Sequence, residues 1–208
     1  MYLLDSDAAK KLCQYELLLD LTIALGCAFS DFAVLPQLKF QLKLSNPPAA
    51  LRKLGSEGAV ALAQQLVVTA AEVVVVAEAA NPLLSLNRPD IDSGEATLFA
   101  ALYEQEEDSL ISGDKRAFVA LSEVDGVEAV DALWARLISF DEAMYLILQH
   151  ASFENVSTKV RARPDADTAM SIIFGRVAAS DHASVLAGLE SYMRDLHANA
   201  QGKYILPF

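Results

Sequence analysis

The chain has 208 residues, of which 53% are hydrophobic and 21% are charged, so it is too apolar for a disordered segment and long enough for one sizeable domain. Its 16 Lys and Arg residues against 28 Asp and Glu residues give a formal net charge of −12. This balance argues against a general nucleic-acid coat protein, whose affinity depends on basic side chains that neutralise phosphates. The acidic charge does not exclude an enzyme that contacts nucleic acid only at a small site. Two cysteines, Cys13 and Cys27, are too few for a disulfide framework.

The sequence predicts neither a secretory signal nor a membrane helix. The first residues lack a basic region followed by an apolar one. The most apolar stretch, residues 59–80, is interrupted by Gln64, Gln65, Glu72 and Glu78, whereas a membrane helix needs about 20 nearly uncharged residues. We therefore expect a cytoplasmic protein with reduced thiols.

Apolar runs of strand length alternate with segments of helical spacing along the chain. The runs predict five strands, at residues 2–4, 32–35, 72–76, 109–112 and 136–140. The run at 72–76 is rich in β-branched valines, a composition typical of a strand buried on both faces.

Helices are predicted between and after these strands. The first covers residues 12–23 and ends near Gly26, and two or three shorter pieces fill 37–71 with breaks at residues 46–48 and at Gly55. Further helices are expected at residues 95–107, 115–123, 142–149 and 184–197.

Strands that alternate with helices of this length indicate an α/β fold with a mostly parallel sheet covered on both faces, a three-layer α/β/α sandwich. Residues 164–201 contain no strand candidate and predict an α-helical extension. We divide the chain into an α/β domain at residues 1–160 and a helical C-terminal extension at 161–208.

Acidic residues follow two of the predicted strands. Asp5 and Asp7 come after the first strand, and Asp114 follows the fourth. Between them, Asp92 and Glu95 open the helix that leads into the fourth strand. Because ligands of open parallel sheets bind outside the carboxyl ends of the strands, these carboxylates are expected at one rim. Carboxylates that converge repel each other unless a cation compensates them, and Mg²⁺ or Mn²⁺ suits an all-oxygen site.

Each carboxylate also has a purely local explanation. Asp92 is an ordinary N-cap residue, and Glu95 is favourable beside the positive end of a helix dipole without any metal. Asp114 precedes Lys115 and Arg116 and is equally suited to cap the next helix. Only the convergence of these residues on one rim favours a site.

Four segments together resemble the PIN domain, the small α/β/α fold of many metal-dependent ribonucleases. The segments are LLDSD, DIDSGEATLFAAL, LISGDKRAFVAL and WARLISFDEAMYLIL, and they occur in the order that the family shows. The resemblance extends over about residues 1 to 160.

The resemblance implies a nuclease that cuts single-stranded RNA with Mg²⁺ or Mn²⁺, as in the toxin half of many bacterial toxin–antitoxin pairs. Asp5, Glu95 and Asp114 match the acids that bind metal and carry catalysis in the family, with Asp92 as an additional metal-binding carboxylate. The partners that it implies are single-stranded RNA and a protein antitoxin or regulator, and the helical extension offers a surface for a homodimer.

One position departs from the family pattern. The helix after the second strand usually carries a further acid, and the best-matching residue here is Gln41. A neutral amide holds a metal-bound water but supplies no charge, so the affinity for a divalent ion is expected to fall. The alternative function is therefore a catalytically inactive PIN-like domain that serves as a protein- or RNA-binding or assembly module.

A third possibility starts from Asp5 and Asp7 alone. Two aspartates in this spacing after a strand also suit phosphatases of the haloacid-dehalogenase type, in which the first Asp is the nucleophile. That family needs a second acidic pair after a later strand, and the segment around Asp114 lacks one.

Basic residues suggest where RNA would lie. Residues 1–55 hold six Lys and Arg against five Asp and Glu, although the whole chain is strongly acidic. The candidates for contact with nucleic acid are Lys39, Lys43, Lys115 and Arg116. Alternatively, these side chains are only the solvated faces of helices. The basic run at 159–163 is interpreted as a solvated connector.

Overall fold

The computed structural model describes residues 1–75, 81–84, 86 and 88–208. Within these ranges, five short strands form one sheet. The strands are β1 (Tyr2–Leu4), β2 (Phe32–Val34), β3 (Ala71–Glu72), β4 (Ser109–Ser112) and β5 (Leu137–Ser139).

Helices lie between consecutive strands and after the last one. Those before β3 are α1 (Ser6–Gln14), α2 (Leu18–Leu25), α3 (Leu38–Gln41), α4 (Pro47–Leu54) and α5 (Glu57–Thr69). Those after it are α6 (Ser93–Glu104), α7 (Lys115–Ser122), α8 (Glu128–Asp131), α9 (Phe140–His150), α10 (Phe153–Arg161), α11 (Thr168–Ile173) and α12 (His182–Asn199).

The sheet has the order β3-β2-β1-β4-β5, and every pairing is parallel. Tyr2 lies opposite Phe32 on one side and Ser109 on the other, so β1 is the central strand. The chain first builds outward from β1 to β3, and then returns to the opposite side of β1 for β4 and β5. All five strands therefore end at the same edge of the sheet.

Alternate residues of the strands face two helical layers. Leu4 and Ile111 belong to a core that includes residues of α1, α2, α5 and α9. Leu3 and Leu110 belong to a second core, which includes residues of α6 and α7. Since both faces of the sheet are covered by helices, the predicted three-layer α/β/α fold with a parallel sheet is confirmed.

The third strand is shorter than predicted. It pairs with β2 only at Ala71 and Glu72, followed by one further hydrogen bond from Val73 N to Val34 O at 2.9 Å. Val74 is 74% exposed, so the prediction of burial on both faces is wrong. The reason is that β3 lies at the edge of the sheet, and the predicted end at residue 76 lies outside the described residues.

The first predicted helix is two helices, α1 and α2, with a break around Glu16. Glu16 has a φ of 55°, a left-handed conformation that few residues other than glycine adopt. Ser56 Oγ donates to its carboxylate, and Lys159 Nζ donates to its carbonyl oxygen at 2.9 Å. Contacts from distant segments therefore fix the break. The predicted stop at Gly26 is confirmed, with a φ of 63° at the C-cap.

The interpretation of residues 159–163 as a solvated connector is wrong. Residues 159–161 are the last turn of α10, and Lys159 pairs with Asp20 of α2 at 2.8 Å. Arg163 donates to Leu54 O and pairs with Asp165 at 2.9 Å. Local charge indicated a solvated segment, but these cations hold α10 and the following turn against the first half of the chain.

The C-terminal helix shares the core of the sheet. Val185, Leu189 and Met193 of α12 belong to the core that contains Leu4. Tyr204 belongs to the opposite core. The division at residue 160 stays a prediction, but residues beyond it pack in the two cores that cover the faces of the sheet.

A tyrosine hydroxyl caps the β5 edge of the sheet. Tyr204 Oη accepts from Ser139 N at 3.1 Å and donates to the carboxylate of Glu142. The Tyr204 ring also stacks on Phe118 of α7 with centroids 6.1 Å apart. An edge strand with free N–H groups can pair with a strand of another chain, and the hydrogen bond from Ser139 N to Tyr204 Oη occupies one of these groups.

In the part of the chain that the structure describes, no helix is both long and apolar enough to span a bilayer.

Replacement of Leu189 by Ala tests whether α12 folds with the sheet. The side chain is fully buried, so the cavity is expected to lower the free energy of unfolding by about 2–5 kcal/mol. Urea unfolding followed by far-UV circular dichroism and by Trp134 fluorescence measures it. Val177→Ala is the control, because Val177 is 97% exposed. An extra early transition in the circular dichroism signal, with the Trp134 transition unchanged, would show instead that α12 unfolds by itself.

Glu142 is expected to make stability depend on pH. Burial raises the pKa of Glu142 from 4.5 to about 7, against the lowering effect of the Tyr204 and Ser139 hydrogen bonds. Between these values the unfolded chain has released the proton and the folded chain has not, so the free energy of unfolding falls as the pH rises from about 4.5 to about 7.

Glu142→Gln removes this contribution and keeps a hydrogen-bond acceptor for Tyr204. The variant is expected to be more stable than the wild type at pH 8, by up to about 3 kcal/mol, and similar to it at pH 4.5. Denaturant unfolding at both pH values measures the difference. An equal pH dependence in both proteins would mean that Glu142 ionises normally in the fold.

Candidate functional site

The carboxyl ends of β1 and of its two neighbours, β2 and β4, surround an open pocket of about 390 Å³. It lies where the chain changes direction along the sheet, between β1 and β4, which is the usual ligand crevice of open parallel sheets. Carboxylates from three separate segments line it, and they are Asp5, Asp7, Asp92, Glu95 and Asp114. The structure thus brings together the four residues that the sequence singled out for metal binding, with Asp7 beside them.

Asp5 is the most buried of the five acids that line the pocket. It directly follows β1, its N–H donates to Ile111 O of β4 at 3.0 Å, and it is 9% exposed. Burial, and then the nearby charge of Asp7, raise the pKa of the Asp5 carboxyl. Backbone N–H groups of Gly113, Ser6 and Asp7 act in the opposite direction. The carboxyl is therefore held by the backbone but desolvated.

Asp92 and Glu95 form a reciprocal cap at the start of α6. Glu95 N donates to Asp92 Oδ1 at 2.8 Å, and Asp92 N donates to Glu95 Oε2 at 2.7 Å. Burial raises the pKa of Glu95 to about 7, and the charges of Asp92, Asp114 and Asp5 add to this effect. These charges affect one another because the residues share the pocket.

Asp114 caps α7 and is bound by Arg116, the second residue of that helix. Its Oδ1 accepts from Arg116 N at 2.8 Å, and Arg116 Nη2 lies 2.9 Å from its Oδ2. Burial alone would raise the pKa of Asp114, but the hydrogen bonds and charge of Arg116 lower it overall. Arg116 thus contacts Asp114, although it is not itself among the residues that line the pocket.

Gln41, at the end of α3, also lines the pocket, as does Gln37 one turn earlier. The position assigned to the missing family acid thus lies on the same cavity as Asp5. Asp7 also lines the pocket, but its Oδ2 pairs with Lys11 Nζ at 2.6 Å, and the same Nζ lies 2.8 Å from Asp167 Oδ2.

The predicted nucleic-acid contacts do not form one group. Lys39 lies 3.6 Å from Glu72 and over the Phe40 ring, outside the pocket. Lys43 is exposed. Lys115 pairs with the buried Asp141 at 2.6 Å and lies over the Tyr192 ring.

Two lysines that the sequence analysis missed line the pocket, and they are Lys10 and Lys53. Lys10 follows Asp7 by three residues on α1, a spacing that places both on one helix face and was visible in the sequence. Lys53 comes from α4, and only the tertiary fold brings it to Asp5. The pocket therefore contains two positive charges as well as its five acids.

The donor set suits a hard divalent cation, although it is not assembled as a cage. Within the described ranges, no three His, Cys, Asp or Glu side chains form a group that holds one ion. Mg²⁺ commonly binds through one or two carboxylates together with water and substrate phosphate, so a three-carboxylate cage is not required. The side-chain oxygen of Ser6, also on the pocket, is buried and has no hydrogen-bond partner among the described residues. The residues thus fit Mg²⁺ or Mn²⁺, and among the described residues the carboxylates of Asp5, Asp92 and Glu95 accept from backbone N–H groups and not from other side chains.

Comparisons with protein-family models, with curated proteins and with solved structures gave no match. The resemblance to the PIN domain therefore depends on the quoted segments alone.

Proposed function

We propose that this chain is a PIN-like, divalent-metal-dependent endoribonuclease that hydrolyses phosphodiester bonds of single-stranded RNA in the acidic pocket. The observation that carries the proposal is the convergence of Asp5, Glu95 and Asp114 on one cavity between β1 and β4. These acids come from three segments far apart in sequence, so their meeting is a property of the fold and not of one helix cap.

In this proposal the pocket residues divide into two groups. Asp5, Glu95 and Asp114 would hold Mg²⁺ or Mn²⁺, with Asp92 beside them. The bound cation would activate a water molecule and stabilise negative charge on the phosphate oxygens. Lys10 and Lys53 place positive charge on the same cavity, where they would bind and orient the RNA backbone.

The toxin of a toxin–antitoxin pair is the biological role that follows from the resemblance. Such a role adds a protein antitoxin as partner, and a homodimer is compatible with it. The acidic net charge confines RNA binding to a local surface, since the chain as a whole repels nucleic acid.

A catalytically inactive binding module is the second candidate, and particular contacts favour it. Gln41 contributes no charge to the pocket. The carboxylates of Glu95 and Asp114 are occupied by the N–H of Asp92 and by Arg116. A cation must compete with these internal donors, which lowers its affinity.

Titration with Mn²⁺ during thermal unfolding tests the pocket as a metal site. An ion that binds only the native state stabilises it, by about 2.7 kcal/mol at 100 times the dissociation constant. We expect the melting temperature to rise with Mn²⁺ concentration in the wild type and to stay constant in Asp5→Asn. Asp195→Asn is the matched control, since it removes one exposed carboxylate from α12.

Cleavage of a single-stranded RNA in the same buffer separates the two candidates. The nuclease proposal expects Asp114→Asn to abolish Mn²⁺-dependent cleavage, because a pocket carboxylate is lost. Equal cleavage by the variant would exclude the proposed pocket as the active site. A metal-dependent rise in melting temperature without cleavage by the wild type would favour the binding module.

Gln41→Glu restores an acid at the position where the family usually has one. If Gln41 occupies that position, the added charge is expected to lower the dissociation constant for Mn²⁺ by about tenfold, equivalent to about 1.4 kcal/mol. Isothermal titration calorimetry measures it, with Gln65→Glu on the exposed side of α5 as the control of equal charge. Identical affinity in both variants would show that Gln41 is not the missing ligand.

A further inference from the structure

Lys11 of α1 lies between two carboxylates beside the acidic pocket. Its Nζ lies 2.6 Å from Asp7 Oδ2 and 2.8 Å from Asp167 Oδ2. The Lys11 side chain is 13% exposed, and its Nζ also lies over the Phe140 ring, 5.2 Å from the centroid. One ammonium group thus serves two carboxylates, so these three side chains together keep one uncompensated negative charge.

The contacts of the two carboxylates show where that charge lies. Asp167 is the N-cap of α11, and its Oδ1 accepts from Met170 N at 3.0 Å while its Oδ2 binds Lys11. Asp7 binds Lys11 through Oδ2, and its Oδ1 accepts no hydrogen bond within the described part of the chain. The Asp7 side chain is 44% exposed against 15% for Asp167. The uncompensated charge therefore lies on Asp7, which lines the pocket.

The backbone at Gly113 limits the position of the Asp7 carboxylate on another side. A Cβ atom at residue 113 would lie 2.7 Å from Asp7 Oδ2, so the carboxylate packs directly against the glycine backbone. The N–H of Gly113 donates to the Asp5 carboxyl, and Asp114 is the next residue in the chain. The end of β4 thus brings Asp7 close to two acids of the proposed cation site.

The C-terminal part of the chain keeps Lys11 in place. Met170 and Ile173 of α11 belong to the same core as Leu12 of α1, so the helix that Asp167 caps is packed against the sheet. Burial alone would raise the pKa of Asp167, but the hydrogen bonds from Lys11 and from Met170 N lower it overall. Asp167 is therefore ionised at neutral pH and binds Lys11 from a fixed position.

We propose that Asp7 is a further cation-binding carboxylate of the acidic pocket and that Lys11, held by Asp167, is its positioning residue. The inference rests on the proposed function, because it requires that Mg²⁺ or Mn²⁺ binds in the pocket. Lys11 binds Oδ2 of Asp7 and leaves Oδ1 for the cation or for one of the waters that such a cation keeps. The segment before α11 thereby becomes part of the site.

A purely neutralising role for Lys11 is the competing explanation. An ammonium group beside the pocket repels a cation, so by charge alone the removal of Lys11 would strengthen Mn²⁺ binding. A positioning role has the opposite sign, because Asp7 then loses its fixed orientation and is repelled by Asp167. The two explanations thus differ in the direction of one measured change.

Isothermal titration calorimetry with Mn²⁺ on the full chain measures that direction. Loss of a group that orients a metal-binding side chain typically costs about 10–100-fold in affinity, so we expect Lys11→Met to raise the dissociation constant by about tenfold or more. Methionine keeps the apolar stem over the Phe140 ring. Lys11→Arg keeps a cation between the two carboxylates and is expected to bind Mn²⁺ more tightly than Lys11→Met.

Variants of the two carboxylates test the same contacts from the other side. Asp7→Asn removes the ligand, and Asp167→Asn removes the charge that holds Lys11, so each is expected to raise the dissociation constant by about tenfold or more. Asp165→Asn is the matched control on the same segment, because Asp165 is 67% exposed and pairs with Arg163. It is expected to leave the dissociation constant nearly unchanged. Circular dichroism checks that each variant is folded, and the half-exposed Asp7 keeps the test decisive if Lys11→Met does not fold.

The outcomes separate this inference from the proposed function. Wild-type affinity in Asp7→Asn, tighter binding by Lys11→Met, or equal losses in Asp165→Asn and Asp167→Asn would overturn the inference and leave the cation site standing. No Mn²⁺ binding by the wild type, or wild-type affinity in Asp5→Asn, would overturn the proposed cation site and this inference with it.

Discussion

The two-sided parallel pairing of β1 is the constraint on which the rest of the structure depends. Three residues, Tyr2–Leu4, set the register for β2 on one side and β4 on the other. The helices that follow β1 and β4 pack on opposite faces of the sheet, and the acidic pocket lies at the carboxyl ends of these two strands. Asp5 and Asp114 stand at this pocket because each follows one of these two strands. The position of the acidic pocket is thus a consequence of strand order.

The pocket accommodates its acids through local donors. Asp92 and Glu95 satisfy each other's backbone N–H groups, and Arg116 binds Asp114. Backbone N–H groups hold Asp5, whose pKa is nevertheless raised by burial. The same hydrogen bonds that stabilise the starts of α6 and α7 therefore compete with any ligand for the carboxylate oxygens. If the pocket binds the proposed cation, helix stability and cation affinity would therefore oppose each other.

Much of the sheet could be predicted because its strands have a strong local signal. The strand at 109–112 is confirmed at both ends, and an apolar run between an acidic loop and Gly113 suffices for that. The predicted extent and burial of the third strand are wrong because β3 lies at the edge of the sheet, and its place there depends on the other strands and not on its valine content. The split between α1 and α2 could not be predicted either, since Ser56 and Lys159 hold Glu16 from distant segments.

The positions of the pocket acids could also be predicted from the local sequence, whereas those of the basic residues could not. Asp5 and Asp114 follow strands directly, so their position depends only on strand order. Lys115 follows Asp114 by one residue, but one helical step directs its side chain away from the pocket to Asp141. Lys53 reaches the pocket through the packing of α4 against the α1 layer, including the bond from Gln14 Nε2 to Lys53 O at 2.9 Å. No local sequence pattern predicts that contact, because it joins two helices that lie far apart along the chain.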